Sequence, residues 1–299
     1  MRRAVVLLAV AAFAGCEVNL NSEGIVSRET KRFEVAGVPE VNLETFDGTI
    51  EIHSWDRNEV EVEIERRAME QRLVDDMAVT AEQNGNRVVV KVVRPGRSDD
   101  EFGGVQIGVH FSPSARLRVA LPRNSQVTAM SGDGAITIED VNGKISLTTN
   151  DGSVRATRVG GELVVRSGDG AIRLDRAEGS LDVETEDGSI TLDAKPTVVR
   201  ARTSDGTIRL QVGEDSVMSG DWDLQTSDGS VVLTLPAEFN GVLDAGTRDG
   251  AVRANYKALR DAERAGEDRD ERRRTLQATL GTGGRTLRIR TGDGSIRIE

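Results

Sequence analysis

Nine aspartates, each followed directly by glycine, are the residues whose type and spacing could do chemistry. Rows of carboxylates can ligate Ca²⁺, and clustered acids are one requirement of a polysaccharide-active site. The five aspartates from Asp133 to Asp205 recur every 18 residues. Such a fixed step predicts a repeated structural unit more readily than a single catalytic centre. The aspartates are Asp47, Asp133, Asp151, Asp169, Asp187, Asp205, Asp228, Asp249 and Asp293.

Other candidate chemistry is sparse. The two histidines, His53 and His110, have no neighbours at ligand spacing, and the sequence contains no nucleophile elbow, zinc-binding helix motif, cysteine pair or phosphate-binding loop. Calcium bound between the aspartates is an alternative. The glycine-rich nonapeptide of calcium-binding repeats, which would support it, is absent. We predict no catalytic residue, no cofactor and no metal ligand.

A longer pattern surrounds each Asp-Gly pair. Apolar residues lie six and four positions before the aspartate and three and five positions after it, and threonine or serine lies two positions before it. Alternation with a period of two is typical of strands with one buried face, and the change of parity across the pair predicts a corner. Aspartate tolerates left-handed backbone and glycine adopts positive φ freely, which suits a corner. We expect each threonine or serine to pack its methyl or methylene group inward and to bond the corner backbone through its hydroxyl.

The repeat predicts an all-β fold. Two short strands in 18 residues leave no room for a helical crossover, so the units are expected to coil into a parallel β-solenoid, a single-stranded β-helix with coils of about 18 residues. Two inward columns follow from the pattern. A meander of hairpins is the alternative, since Asp-Gly is also a hairpin turn. The first column is Ile136, Val154, Ile172, Ile190 and Ile208, and the second is Ile145, Leu163, Leu181 and Val199.

The first residues predict export. Residues 1–15 contain a basic start and an apolar stretch too short to span a bilayer, followed by the only cysteine, Cys16. This arrangement resembles a lipoprotein signal peptide in which Cys16 is acylated, although Phe13 stands where leucine is commonest. An ordinary secretory signal is the alternative. Residues 16–29 are interpreted as a tether from the membrane.

The rest of the chain divides into two predicted parts. Residues 30–126 contain one Asp-Gly pair and are predicted to form a less regular β-rich module, with one short helix indicated by Met69, Leu73 and Met77. Residues 127–299 carry the β-helix repeats, with a charged excursion at 257–274. The last strand, residues 295–299, is expected to lie at an open end of the sheet.

Stacked corners would place like charges about 4.8 Å apart, so something must offset their repulsion. The sequence offers arginine four positions after several of the aspartates, and the corner N–H groups could also bond each carboxylate. The arginines are Arg155, Arg173, Arg209, Arg253 and Arg297.

The order of these parts resembles the bacterial "putative adhesin" domain family of unknown function with β-strand repeats. The resemblance rests on the leader, the irregular first strands with a short helix, the Leu121-Pro122 step and the repeated Thr-x-Asp-Gly units, over residues 30–299. It implies a right-handed parallel β-helix on exported or membrane-tethered proteins, sometimes linked to envelope stress. It implies no catalytic residues.

These features are compatible with three functions. The first is a non-enzymatic protein of the cell envelope, lipid-anchored at Cys16 on a periplasmic or outer-membrane face, that acts in adhesion, structure or partner binding. The second is an envelope-stress component whose acidic face binds cationic peptides or a membrane partner. The third is a polysaccharide-active enzyme, for which the isolated Trp55, Trp222 and Tyr256 give no sugar platform. An envelope protein or a surface glycan could be the partner, whereas the net charge of −11 makes nucleic acid a poor one.

Overall fold

The computed structural model describes residues 18–21, 24–94, 112–256, 259 and 274–299. Cys16, His110 and most of the 257–274 excursion lie outside these residues. Within them the chain forms strands and one short helix, α1 (Gln71–Asp75). The helix confirms the expected element, but Met69 precedes it and is exposed, while Met77 follows it and is buried. None of the described helical segments has the length and hydrophobicity that a bilayer span requires.

Short strands make up most of the described chain. In chain order the first eleven are β1 (Val18–Asn21), β2 (Gly24–Glu34), β3 (Glu40–Thr45), β4 (Ile50–Trp55), β5 (Glu59–Ala68), β6 (Ala78–Asn84), β7 (Arg87–Val93), β8 (Ser114–Pro122), β9 (Gln126–Ser131), β10 (Ile136–Glu139) and β11 (Asn142–Thr149). The others are β12 (Val154–Thr157), β13 (Gly160–Ser167), β14 (Ile172–Thr185), β15 (Ile190–Thr203), β16 (Ile208–Val212), β17 (Trp222–Thr226), β18 (Val231–Thr234), β19 (Gly241–Thr247), β20 (Val252–Ala254), β21 (Thr275–Leu280), β22 (Thr286–Thr291) and β23 (Ile296–Ile298).

Two parallel ladders organise the sheet. The leading ladder contains strands that enter the corners, in the order β7, β3, β9, β11, β13, β14, β15, β17, β22, β19. The trailing ladder contains strands that leave the corners, in the order β8, β4, β10, β12, β14, β15, β16, β18, β23, β20. We call each pair of strands joined by one corner a rung, and we use the same word for β7 and β8, which pair with β3 and β4 in the same parallel way. Strands β14 and β15 are long enough to serve in both ladders.

The registers in the regular part confirm the two predicted inward columns. Ile136 is opposite Val154, which is opposite Ile172, each step being 18 residues. The second column pairs Ile145 with Leu163 in the same way. These side chains are at most 1% exposed and belong to one hydrophobic cluster that both ladders share. The parallel pairing contradicts the hairpin meander, because successive hairpin strands would pair antiparallel.

The predicted boundaries need two corrections. Residues 18–21 and 24–29 lie in β1 and β2, which pair antiparallel with one another, and β2 pairs antiparallel with β5, so most of the expected tether is part of the sheet. The sequence did not indicate a strand here because the exposed face of β2 carries charged residues, which are also typical of a tether. Residues 30–126 are also not a separate module, since β3 and β4 stack directly on β9 and β10 of the regular rungs.

The order of the rungs departs from the order of the chain at both ends. Strands β3 and β4 lie between the β7/β8 rung and the β9/β10 rung, and β22 and β23 lie between the Asp228 and Asp249 rungs. The last strand is therefore paired on both sides by β18 and β20, and the expectation of an open end there is wrong. The long step between Asp249 and Asp293 supplies enough chain for this return.

Candidate functional site: the Asp-Gly corner and the outward faces

The Asp-Gly corners lie in a row along one edge of the rungs. Their backbones are joined by hydrogen bonds that repeat from rung to rung, for example Glu186 N to Gly168 O at 2.7 Å and Ser204 N to Glu186 O at 2.7 Å. The same bond joins Gly292 N to Ser227 O at 2.7 Å, which carries the row across the displaced last rung. The expected alignment of the corners is thus present in the structure.

The threonine and serine column closes each corner from the inside. Thr149 is 2% exposed, and its hydroxyl accepts the N–H of Gly152 at 3.2 Å. The same hydroxyl lies 3.0 Å from the carbonyl oxygens of both Gly132 and Gly134 on the preceding rung, and it can donate its single proton to either. All nine members are buried, and the expected role of their hydroxyls is confirmed. They are Thr45, Ser131, Thr149, Ser167, Thr185, Thr203, Thr226, Thr247 and Thr291.

The corner glycines are required for close stacking, and the expected reason, positive φ, is wrong for most of them. Of the nine, Gly48 alone has positive φ, at 128°. A Cβ on Gly170 would lie 2.0 Å from the carbonyl oxygen of Gly152, and one on Gly188 would lie 2.1 Å from that of Gly170. No real Cβ approaches an oxygen so closely, so any side chain would push adjacent rungs apart.

The corner carboxylates point to solvent with little compensation. Eight of the nine aspartates are exposed and Asp47 is half-buried. Arg248 bonds Asp293 at 2.9 Å and Arg274 lies 3.7 Å from Asp249, whereas the other seven form no ion pair in the described part of the chain. Burial raises the pKa of Asp47, the charge of Asp133 raises it further, and Arg94 opposes both effects.

The two expected sources of compensation make no direct contact with the corner carboxylates in the described residues. Among the described residues, none of the five arginines four positions after a corner forms an ion pair with a corner aspartate, because they lie farther along the outward face of the trailing ladder. The backbone N–H groups of the corner bond neighbouring carbonyls instead, as Asp169 N does to Asn150 O at 3.1 Å. The aspartates therefore form an exposed acidic line.

No metal site is visible in the described residues. They contain no group of three or more histidine, cysteine, aspartate or glutamate side chains placed to hold an ion. His53 is exposed on β4, and His110 lies outside the described residues.

A second row of corners, which the sequence analysis missed, joins the trailing strand of one repeat to the leading strand of the next. Asp140, Arg158 and Arg176 are 18 residues apart and have left-handed backbone, with φ of 60°, 53° and 53°. Arg158 bonds both carboxylate oxygens of Asp140, at 2.7 and 2.6 Å. These hydrogen bonds and the charge of Arg158 lower the pKa of Asp140. The 18-residue spacing of these charged residues could have revealed the row.

A polar cleft of about 710 Å³ lies on the outward face of the leading ladder near β19 and β21. Arg290 from β22 donates to the carbonyl oxygen of Asp244 at 2.7 Å and also bonds its carboxylate. Gln277 bonds the same carboxylate at 3.4 Å. The hydrogen bond and charge of Arg290 lower the pKa of Asp244. An acid held ionised in this way is poorly suited to protonate a leaving group.

The predicted core role of Trp222 is confirmed. Trp222 is fully buried, and its indole N–H bonds the carbonyl oxygen of Thr197 at 3.2 Å. Its ring lies 5.5 Å from that of Phe239. Trp55 lies elsewhere, where Arg57 stacks 4.7 Å from its ring. In the described residues the tryptophans therefore form no common platform for a sugar.

One family model and several solved structures are similar to this chain. The family model described as Toastrack DUF4097 matches residues 38–299. None of the curated proteins matches the chain. A putative adhesin from Bacteroides fragilis is 10% identical, over 91% of this chain and 97% of that one, with a TM-score of 0.48. A putative adhesin from Parabacteroides merdae is 11% identical, over 91% and 96%, with a TM-score of 0.47. Likenesses at these scores carry no functional argument.

Proposed function

Because the chain belongs to the Toastrack DUF4097 family, we propose that it is a non-enzymatic protein of the cell envelope that binds its partner through the outward faces of its rungs. Adhesion, structural contacts and recognition of another envelope protein all fall within this role. In this role the outward side chains of the two ladders contact the partner, and the packed interior keeps the strands in register.

The repetition of charge along the outward faces is the observation that carries this proposal. Parallel pairing at an 18-residue register places Arg155 opposite Arg173 on the trailing ladder, and both are exposed. On the leading ladder Arg166 lies 3.0 Å from Asp182 of the adjacent rung. Adjacent parallel strands set such outward side chains about 4.8 Å apart, and a partner with a matching interval can contact several rungs.

The two ladders are further proposed to be sides of one right-handed parallel β-solenoid with coils of about 18 residues. The 18-residue registers between β10, β12 and β14 support this coil length. Right-handed connection between parallel strands is the general rule for one sheet. A crystal structure in which the connections between rungs are left-handed would contradict the proposal.

Attachment to the membrane is proposed to occur at Cys16, after removal of residues 1–15. The basic start, apolar stretch and single cysteine support it. Growth with an alkyne fatty acid should label the wild-type chain and leave Cys16→Ser unlabelled. Equal labelling of both chains, or none in either, would count against the anchor.

Site-specific photocrosslinking in intact cells tests partner binding. A photoreactive residue would replace Arg173 on the trailing ladder, Glu184 on the leading ladder, or Glu214 in a loop between rungs, all of which are exposed. We expect a discrete crosslinked product from one or both ladder positions and none from Glu214. The same products from all three positions, or none from any, would contradict the proposal.

A second candidate is binding of cationic peptides at the acidic line of corners. Seven aspartates without an ion pair in the described residues favour it. Attraction between exposed charges fades over about 10 Å at 0.1 M salt, so binding of a polylysine peptide should weaken steeply with salt. Replacing Asp151, Asp169 and Asp187 by asparagine should weaken it further, whereas unchanged binding would exclude this candidate.

A polysaccharide-active enzyme is the alternative that we do not favour. The acid of the polar cleft near β19 and β21, Asp244, is held by Arg290 and Gln277. Release of reducing ends from an anionic polysaccharide by the purified chain, abolished by Asp244→Asn, would overturn the non-enzymatic proposal.

A further inference from the structure

A second surface groove, of about 330 Å³, lies on the outward face of the trailing ladder near the Asp249 rung. All of its charged side chains are arginines, namely Arg209, Arg253 and Arg297. This composition is notable in a chain whose net charge is −11. It marks a place where the local charge opposes that of the whole protein.

Strand register sets the shape of the groove. Arg209 is opposite Val232, Val232 is opposite Arg297, and Arg297 is opposite Arg253. The four outward positions thus form a line along the stacking direction, with steps of about 4.8 Å. Val232 is half-buried and short, so it forms a low floor between two long guanidinium side chains.

These arginines are available for a ligand. Arg209 and Arg253 are exposed and form no hydrogen bond or ion pair with any residue that the structure describes. Arg297 has one weak partner, Glu299, at 3.8 Å, and both side chains are about half exposed. Thr207 and Ser295 line the side of the groove nearest the corner and add hydroxyl groups.

Guanidinium groups in a line fit an extended anion better than a single small one. Each arginine presents a planar fork of donors that matches a carboxylate in two-point contact. Because the three forks lie on three rungs, one small anion cannot reach all of them, whereas a polymer with repeated carboxylates can. The hydroxyl groups alongside suit the hydroxyls of a sugar chain.

We propose that this groove binds an extended acidic polysaccharide, whose carboxylates pair with Arg209, Arg253 and Arg297. The proposal rests on the proposed partner-binding role of the outward faces and names the ligand chemistry for one part of them. The corner aspartates do not block it, because they follow a separate line four positions earlier along each strand.

The test measures binding of purified full chain carrying Cys16→Ser, which removes the lipidation site. The probes are oligogalacturonates of two and ten units, neutral dextran of matched size, and phosphatidylglycerol vesicles. We expect the ten-unit oligogalacturonate to bind, the two-unit one to bind more weakly, and added salt to weaken both. Replacing Arg209, Arg253 and Arg297 together by serine should weaken binding about tenfold or more, since exposed charge pairs each contribute modestly.

Two further variants make the result specific. Replacing Arg57, Arg72 and Arg87 by serine changes the net charge by the same amount, at exposed positions far in sequence from the groove. This variant should still bind the ten-unit oligogalacturonate. Val232→Glu should abolish binding by placing an acid between the arginines, while thermal melts check that each variant folds. Lack of binding by the parent chain, equal loss in both triple variants, equal binding of the two oligomers, or binding to vesicles alone would each overturn the proposal. These outcomes are independent of the cellular crosslinks at Arg173 and Glu184.

Discussion

The hydroxyl oxygen of Thr291 lies 2.8 Å from the carbonyl oxygen of Gly229, which joins the last corner of the chain to a corner 62 residues earlier. Thr247 completes the sequence of contacts by bonding Gly294 at 2.9 Å. The rung of Asp293 is therefore held between the rungs of Asp228 and Asp249. The C-terminal strands therefore pair with rungs that come earlier in the sequence.

Deletion of residues 286–299 should accordingly release the Asp249 rung as well. Leu287, Ile289, Ile296 and Ile298 are fully buried, and burial of each contributes about 1.5 to 3 kcal/mol. We expect amides of β19 and β20 to lose protection from hydrogen exchange, while those of β10 to β13 keep it. Full-length Arg297→Ser is the control, and protected β19 amides in the truncated chain would contradict the inserted order.

Removal of one corner hydroxyl should cost more than its size suggests. Thr149→Val keeps the shape but leaves the N–H of Gly152 and a corner carbonyl without their partner, so we expect a loss of about 1 to 3 kcal/mol in unfolding free energy. Thr149→Ser should be nearly neutral, as serine occupies this position at Ser167. Thr148→Val, on the outward side of the same strand, is the control in denaturant melts. Equal stability of Thr149→Val and Thr148→Val would argue against the hydroxyl's role.

A methyl group at a corner glycine should separate two rungs. Gly170→Ala would place its Cβ 2.0 Å from the carbonyl oxygen of Gly152, and we expect a loss of more than about 2 kcal/mol. Gly246→Ala is the matched control, because its Cβ would meet Arg290 at an ordinary 3.7 Å. Thermal melts that show similar stability for the two variants would mean that corner packing can relax.

The inward and outward assignments predict opposite effects for neighbours on β14. Ile172 is 1% exposed, so Ile172→Asp would bury a charge without a partner and should unfold the adjacent rungs. Arg173 is exposed and forms no ion pair in the described residues, so Arg173→Ser should change stability by less than about 0.5 kcal/mol. If the two variants melt alike in denaturant, the assignment of faces is wrong.

The Asp140–Arg158 pair should make stability depend on acid pH. Arg158 lowers the pKa of Asp140 in the folded state, so the contribution is fully present above the unfolded value of about 3.9. It is lost as the pH falls through the folded pKa, where the carboxylate is protonated in both states. The melting temperature of Asp140→Asn should therefore lie below that of the parent at pH 7 and approach it near pH 2. Asp151→Asn, which lacks an ion pair, is the control, and a gap for Asp140→Asn that stays constant with pH would contradict the linkage.

The strands of the repeat and their stacking could be predicted because they depend on residues that are close together in the sequence. The alternation around Asp169 identifies two half-buried strands, and the 18-residue step fixes which residues stack. The same local reasoning gave the wrong cause for the corner glycines. It considered only the backbone preference of glycine itself, whereas the constraint on Gly170 is a carbonyl oxygen of the neighbouring rung. The β2 strand was missed because its exposed face carries charges that look like a tether.

The sequence by itself determined the all-β class, the corners, the buried hydroxyl column and the inward columns, since each depends on residues within one or two repeats. Only the tertiary structure decided that the rungs of Asp47 and Asp293 are inserted out of chain order, that the corner acids lack the arginines expected for them, and that Arg209, Arg297 and Arg253 share one groove. Local patterns specify that a strand pairs in a parallel ladder, but many strands of this chain carry the same pattern. Which of them become neighbours depends on the length of chain between the rungs and on which order buries the apolar side chains of all of them.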